Sequence, residues 1–141
     1  MYKDFKSTII IGGIGSGKTH FIKKYINEII NDDCTLILVD PKMVELHEYK
    51  NKSNVEYLNT IEEFINIVYN RIIENNIDKK KIYLFIDEIS ELVYDEKIKK
   101  QIKFMLKNRE LFNCELILTS QLKNSFCPGM RRYAKTIIQL N

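Results

Sequence analysis

The 141-residue chain is 45% hydrophobic and 29% charged, the balance of a globular chain of one domain's length and not of a disordered one. Its 5 Gly and 2 Pro exclude collagen-like, low-complexity and mucin-like classes. The net charge of +3 is uneven: residues 1–96 hold 12 Lys/Arg against 17 Asp/Glu, and residues 97–141 hold 10 against 2. Two readings of that basic third stand, an anionic partner or a solvated Lys-rich helix face.

No run approaches the ~18 apolar residues of a membrane span, and the N-terminus carries no signal-peptide apolar region. The expectation is a cytoplasmic protein with no membrane segment of its own. Cys34, Cys114 and Cys127 lack the C-x-x-C spacing, and His20 and His47 stand apart. Neither a disulfide framework nor a zinc site is indicated.

In chain order, Ser7–Ile11 reads as a short buried strand ending at Gly12-Gly13. From Lys18 to about Asn31, Phe21, Ile22, Tyr25, Ile26, Ile29 and Ile30 form one helical stripe. Thr35–Val39 is a second strand, stopped by Asp40-Pro41. A short helix is expected around Val44–Tyr49 and an edge strand at Val55–Leu58. Thr60-Ile61-Glu62-Glu63 is a capping box opening a helix with Ile61, Phe64, Ile65, Val68 and Ile72 on one face. Ile82–Ile86 is a strong strand ended by Asp87-Glu88. A basic helix is predicted from about Asp95 to Leu111, with Ile98, Ile102, Met105 and Leu106 inward. Leu116–Thr119 is a strand, 124–132 a loop around Pro128-Gly129, and Thr136–Leu140 a last strand. This alternation predicts a single α/β domain over residues 1–141, its mostly parallel sheet covered by helices on both faces, with ligands bound at the carboxyl ends of the strands.

Gly12-Gly13-Ile14-Gly15-Ser16-Gly17-Lys18-Thr19 fits G-x-x-x-x-G-K-[ST] at every position, with a strand before it and a helix after it. Glycines let the backbone wrap phosphate oxygens, and the N–H groups at the helix start form an anion nest. Gly13, Ile14, Gly15, Ser16, Gly17, Lys18, Thr19 and His20 are the expected nucleotide-binding set. Lys18 is expected on the β/γ-phosphates and the Thr19 hydroxyl on Mg²⁺. Asp87 suits a Walker B role, holding Mg²⁺, and Glu88 that of a general base toward water. Gln121, which ends the Leu116–Thr119 strand, would lie near the γ-phosphate if that strand sits between the phosphate-loop strand and the Asp87 strand. The cofactors expected are ATP and Mg²⁺.

The second strand runs Leu36-Ile37-Leu38-Val39-Asp40-Pro41-Lys42, with Glu45-Leu46 shortly after. Taken with Gly12–Thr19, Ile86-Asp87-Glu88 and Leu118-Thr119-Ser120-Gln121, the chain resembles the FtsK/SpoIIIE DNA translocases of the FtsK–HerA superfamily from about Ser7 to Leu140. The resemblance implies a RecA-like P-loop NTPase of the additional-strand, catalytic-glutamate type, a minimal motor core. Such motors are usually hexameric rings that pump double-stranded DNA without regard to base sequence. It implies catalytic roles for Lys18 and Glu88, a sensor role for Gln121, and a family signature at Asp40, Pro41 and Lys42. Gln121 is followed here by Leu122-Lys123 where the family typically has Arg-Pro. The short connections fit a plasmid, phage or mobile-element protein. Arg131 and Arg132 are the candidates for an arginine finger reaching a neighbouring subunit, or else a surface pair touching DNA phosphates. Lys97, Lys99, Lys100, Lys103, Lys107 and Arg109, or Lys123, are the expected phosphate contacts. The alternatives are a virion packaging or filamentous-phage assembly ATPase of the same superfamily, and a non-motor ATP-binding switch or accessory protein.

Overall fold

The computed structural model describes residues 6–13, 15–31, 33–40, 46–58, 60–64, 66, 70, 81–90, 94–111 and 113–140. Ile14, Pro41 and Lys42 lie outside the described residues, as do Val44 and most of the predicted helix after Phe64.

Six strands are defined: β1 (Thr8–Gly12), β2 (Cys34–Val39), β3 (Val55–Leu58), β4 (Lys81–Ile86), β5 (Cys114–Ser120) and β6 (Thr136–Leu140). They form one sheet in the order β3-β2-β4-β5-β1-β6, and every pairing is parallel. The helices are α1 (Lys18–Ile29), α2 (Ile61–Phe64), α3 (Glu96–Lys107) and α4 (Pro128–Tyr133). The α/β P-loop fold expected from the sequence is present. β5 sits between the phosphate-loop strand and the Asp87 strand, with Ile11 opposite Ser120 and Ile86 opposite Leu118. Val55–Leu58 is an edge strand, as expected.

The strands are near-continuous apolar runs because both faces are covered. Successive side chains alternate between faces. Ile9, Ile11, Leu84, Ile86, Leu116 and Leu118 pack with Ile98, Ile102, Met105 and Leu106 of α3 and Met130 of α4. Ile10, Leu36, Leu38, Phe85 and Ile117 pack with Ile22, Tyr25, Ile26 and Ile29 of α1. The predicted stripes of α1 and α3 are thus the ones that bury. The capping reading at Thr60 also appears, with Glu63 N–H donating to Thr60 Oγ1 at 3.2 Å.

Two expectations are corrected. The 124–132 segment is not a plain loop: a 3-10 turn at Lys123–Ser125 is followed by α4. Pro128 sits in its first turn, where a missing N–H costs nothing and the fixed φ favours a helix, so Pro-Gly here starts an element. Met130, fully buried, anchors that short helix in the core. Arg109 is not part of an exposed basic helix face. α3 ends at Lys107, and Arg109 is only 6% exposed. Its Nη1 donates to the carbonyls of Leu106 at 2.9 Å and Tyr133 at 2.7 Å, and its Nε lies 3.5 Å from Glu115 Oε1. A buried guanidinium needs such partners.

Glu115 is itself 2% exposed at the amino end of the sheet. It accepts from Ser7 N–H at 2.7 Å and Ser7 Oγ at 2.9 Å, and Lys81 Nζ lies 3.6 Å away. The charges of Glu115, Arg109 and Lys81 therefore tie together the starts of β1, β4 and β5 and the end of α4.

Candidate functional site

The tips of β1, β5 and β4 lie side by side, and their carboxyl ends carry the loops that hold the chemistry-bearing residues. β1 runs into the Gly-rich bend. Gly15 and Gly17 have φ of +79° and +94°, a left-handed conformation that only glycine adopts without strain. The bend closes with Ser16 N–H on Gly13 O at 3.1 Å, and Phe21 N–H on Gly17 O at 2.9 Å begins the helical ladder. The two long helices differ at their starts. The Asp95 side chain caps α3, accepting from Lys97 N–H at 2.9 Å and Ile98 N–H at 3.4 Å. α1 begins at Gly17 with no side-chain cap and no acid in its first turn. Its first amides are thus left to an external acceptor, and an anion suits them best. Gly13, Gly15 and Gly17 are exposed, Ser16, Lys18 and Thr19 are half-buried, and His20 is exposed.

Across from the bend, β4 ends in Asp87 and Glu88. Asp87 N–H bonds Val39 O at 3.0 Å, which keeps the turn in line with the sheet for one more residue. Glu88 then adopts φ of +59°, a conformation costing a non-glycine residue on the order of 1–3 kcal/mol that the surroundings must hold. They do so through β5. Thr119 Oγ1 accepts from Glu88 N–H at 2.9 Å and donates to Asp87 Oδ1 at 2.9 Å, so one buried hydroxyl fixes both acids.

The Glu88 carboxylate is more heavily bonded still. Oε1 accepts from Ser120 Oγ at 3.1 Å and Ser90 N–H at 3.3 Å. Oε2 accepts from Gln121 N–H at 3.1 Å and from Lys18 Nζ at 3.2 Å. Burial pushes the carboxyl up, but the hydrogen bonds from Ser90, Lys18 and Ser120 and the Lys18 charge outweigh it and hold Glu88 below the usual carboxylate range. Its contribution to stability is therefore full above the free-group value of 4.5 and is lost as pH falls through the lowered folded value.

Lys18 and Glu88 are thus brought into direct contact. Gln121 adjoins them through its backbone, its side chain being exposed. Arg132 is exposed and Arg131 is half-buried on α4, and no contact in the described structure links either to Glu88. The hydroxyls of Thr119 and Ser120 were not singled out from the sequence. The signal was two hydroxyl residues closing an apolar strand, directly before Gln121.

Asp40 lies one strand further over, 1% exposed. Its Oδ2 accepts from Tyr57 Oη at 2.7 Å and Leu46 N–H at 2.9 Å. Burial and the adjoining carboxylate raise the Tyr57 phenol above its usual range. This contact stabilises the fold fully below pH 10.0 and is lost as pH rises toward the raised value. Tyr57→Phe leaves Asp40 short of a donor and is expected to cost about 1–3 kcal/mol. Urea unfolding at pH 7 measures it, and an unchanged midpoint would remove the role given to this pair.

Comparison with known proteins places this geometry in a family. The KAP family P-loop domain matches residues 6–135. The chain belongs to that family. This KAP domain is accordingly a P-loop NTPase domain, a membership that implies nucleotide binding. It is also similar to the chaperone protein ClpB of Mycoplasma pneumoniae, 31% identical over 91 residues, which is 64% of this chain and 12% of ClpB. Among solved structures, EssC (ATPases 2 and 3) from Geobacillus thermodenitrificans matches with a TM-score of 0.79 at 14% identity, over 96% of this chain and 32% of EssC. The pCW3 conjugation coupling protein TcpA with ATPγS gives 0.77 at 16% identity, over 95% and 49%. The genome packaging NTPase B204 of Sulfolobus turreted icosahedral virus 2 gives 0.70 at 18%, over 95% and 74%. The chain thus spans about an eighth of the length of the curated relative and a third of EssC. At these identities the structural likeness speaks for the fold. No helix of the described residues is long and apolar enough to cross a membrane, and no cluster of three or more His, Cys, Asp or Glu side chains placed to hold a metal ion occurs among them.

Proposed function

We propose that residues 1–141 form one P-loop ATPase domain that hydrolyses Mg-ATP and couples the loss of the γ-phosphate to movement of duplex DNA. It is a motor core of FtsK/SpoIIIE type working in the cytoplasm as a homo-oligomeric ring. The observation that carries the reading is the 3.2 Å contact between Lys18 Nζ and Glu88 Oε2, which sets the phosphate-binding lysine and the acid on the same side of the sheet.

In this reading, residues 12–19 and the α1 amides cradle the triphosphate, with Lys18 on the β/γ-phosphate oxygens. The Thr19 hydroxyl and the Asp87 carboxylate are hard oxygen donors of the kind Mg²⁺ takes. Once bound there, the ion would neutralise charge on the phosphate oxygens. Glu88, held by Ser120, Ser90 and Gln121, takes the proton of the attacking water. Gln121 adjoins the acid as the sensor candidate, and Arg131 or Arg132 is the candidate finger toward a neighbouring subunit. Asp40 with Pro41 and Lys42 is the family signature.

The DNA assignment draws on the basic C-terminal third and on two structural neighbours, a conjugation coupling protein and a genome packaging NTPase. Lys97, Lys100 and Lys107 are exposed along α3, with Phe104 between them. Lys99 pairs with Glu96 at 3.2 Å, and Lys103 lies against the start of α4. A virion packaging or filamentous-phage assembly ATPase of the same superfamily is the second reading, and the 74% of B204 that the chain covers supports its packaging form.

The test is ATP turnover with and without duplex DNA across a salt series. The motor reading expects DNA-stimulated turnover whose stimulation declines as salt rises, since phosphate contacts release counterions. Lys18→Ala is expected to lower turnover on the order of 10²–10³-fold, the loss of a preorganised charge facing the phosphates. Turnover indifferent to DNA in an assembled sample would leave an ATPase switch in place of a motor.

A further inference from the structure

Glu88 has no acceptor position to spare. A carboxylate offers about four lone-pair sites, and Ser90 N–H, Ser120 Oγ, Gln121 N–H and Lys18 Nζ fill them, two on each oxygen. A base in this state can orient a water only when one donor departs. Lys18 is the one with another acceptor available, a phosphate, so the Oε2 site facing the loop is the one that opens. The other three donors then decide where the carboxylate points.

Of those three, Ser120 alone extends the network. Its residue is fully buried. Its Oγ lies 3.1 Å from Glu88 Oε1 and 2.9 Å from Ser125 Oγ, and it accepts from Leu122 N–H at 3.0 Å. A hydroxyl has one proton and two lone pairs. The charged carboxylate is the stronger acceptor, so the Ser120 proton goes to Glu88. The lone pairs take Leu122 N–H and the Ser125 proton. Every bonding direction of Ser120 is thereby fixed, two of them by the segment that leads into α4. Ser125 is 7% exposed on the Lys123–Ser125 turn, and Phe126, 3% exposed, pins the next residue in the core.

We propose that Ser120 and Ser125 are positioning residues for Glu88, a two-hydroxyl relay that ties the aim of the carboxylate to the turn between β5 and α4. The inference rests on the reading of Glu88 as the base. A shift of the turn re-aims the Ser120 proton and takes a donor from Oε1. The segment that carries Arg131 and Arg132 therefore communicates with the acid through two oxygen atoms.

The test compares Ser125→Ala with Ser125→Thr, which keeps the hydroxyl, and with Ser120→Ala. Steady-state ATP turnover is one readout. The other is the same comparison made in a Glu88→Gln background, as a double-mutant cycle read by single-turnover hydrolysis. Ser125→Ala is expected to lower kcat about five- to twentyfold through misplacement of the base, with KM within about twofold, and Ser125→Thr recovers most of it. In the Glu88→Gln background Ser125→Ala is expected to lower single-turnover hydrolysis no further, because a residue that acts only through Glu88 has nothing left to position. A kcat unchanged in Ser125→Ala, or lowered as much with Gln at position 88 as with Glu, overturns the relay. Full turnover in Glu88→Gln alone overturns the base reading instead.

Discussion

Glu88→Gln is expected to lower ATP turnover on the order of 10²–10⁴-fold, the range lost with a positioned general base, while nucleotide binding holds or tightens. The two effects have separate causes. The amide cannot take a proton from water, so the chemical step fails. The amide also carries no charge, so it neither repels the triphosphate nor holds Lys18 in the 3.2 Å pair that competes with phosphate for the ammonium. Lys18→Ala separates these terms from the other side, removing affinity and chemistry together. A fluorescent-nucleotide titration paired with single-turnover hydrolysis distinguishes them. Wild-type hydrolysis by Glu88→Gln would sink the role assigned to this acid.

Glu115→Ala is expected to cost about 3–5 kcal/mol, since removing one partner of a buried ion pair leaves the other charge stranded. That is a large share of the roughly 5–15 kcal/mol that holds a domain of ordinary stability. Arg109 keeps its two carbonyl contacts but loses the carboxylate 3.5 Å from its Nε, and Ser7 loses the acceptor for both its amide and its hydroxyl. Glu115 lies at the end of β5 away from the phosphate loop, so nucleotide affinity per folded molecule is expected to stay unchanged. Denaturant unfolding alongside nucleotide binding checks both halves. A variant as stable as the parent would show that the buried charges are not coupled as their geometry indicates.

Most of the sheet was legible because its strands are apolar runs bounded by Gly, Asp-Pro or Asp-Glu, and because α1 and α3 carry stripes at helical spacing. The position of β5 between β1 and β4 followed from the family resemblance rather than from periodicity. The Gly-rich bend and the Asp87-Glu88 pair were legible because phosphate and Mg²⁺ chemistry constrain residue type position by position. Arg109 was misplaced because a basic side chain close to a lysine-rich helix looks the same in sequence whether it faces solvent or a buried carboxylate on the strand that follows. Pro128-Gly129 was misread because the pair marks a turn in isolation, and only the burial of Met130 reveals the helix behind it. Ser120 and Ser125 were missed for a related reason: a hydroxyl's partners are set by tertiary placement, and no local pattern announces them.

The pairing of β1 has a consequence for synthesis. Thr8 registers with Ile117 on one side and with Thr136 on the other, so the strand that leads into the Gly-rich bend leaves the ribosome long before either neighbour exists. At about 5–20 residues per second, it waits on the order of 5–20 s as an unpaired Ile-rich segment. During that interval the nascent chain can offer no completed phosphate site, because the strands that hold β1 in place come last.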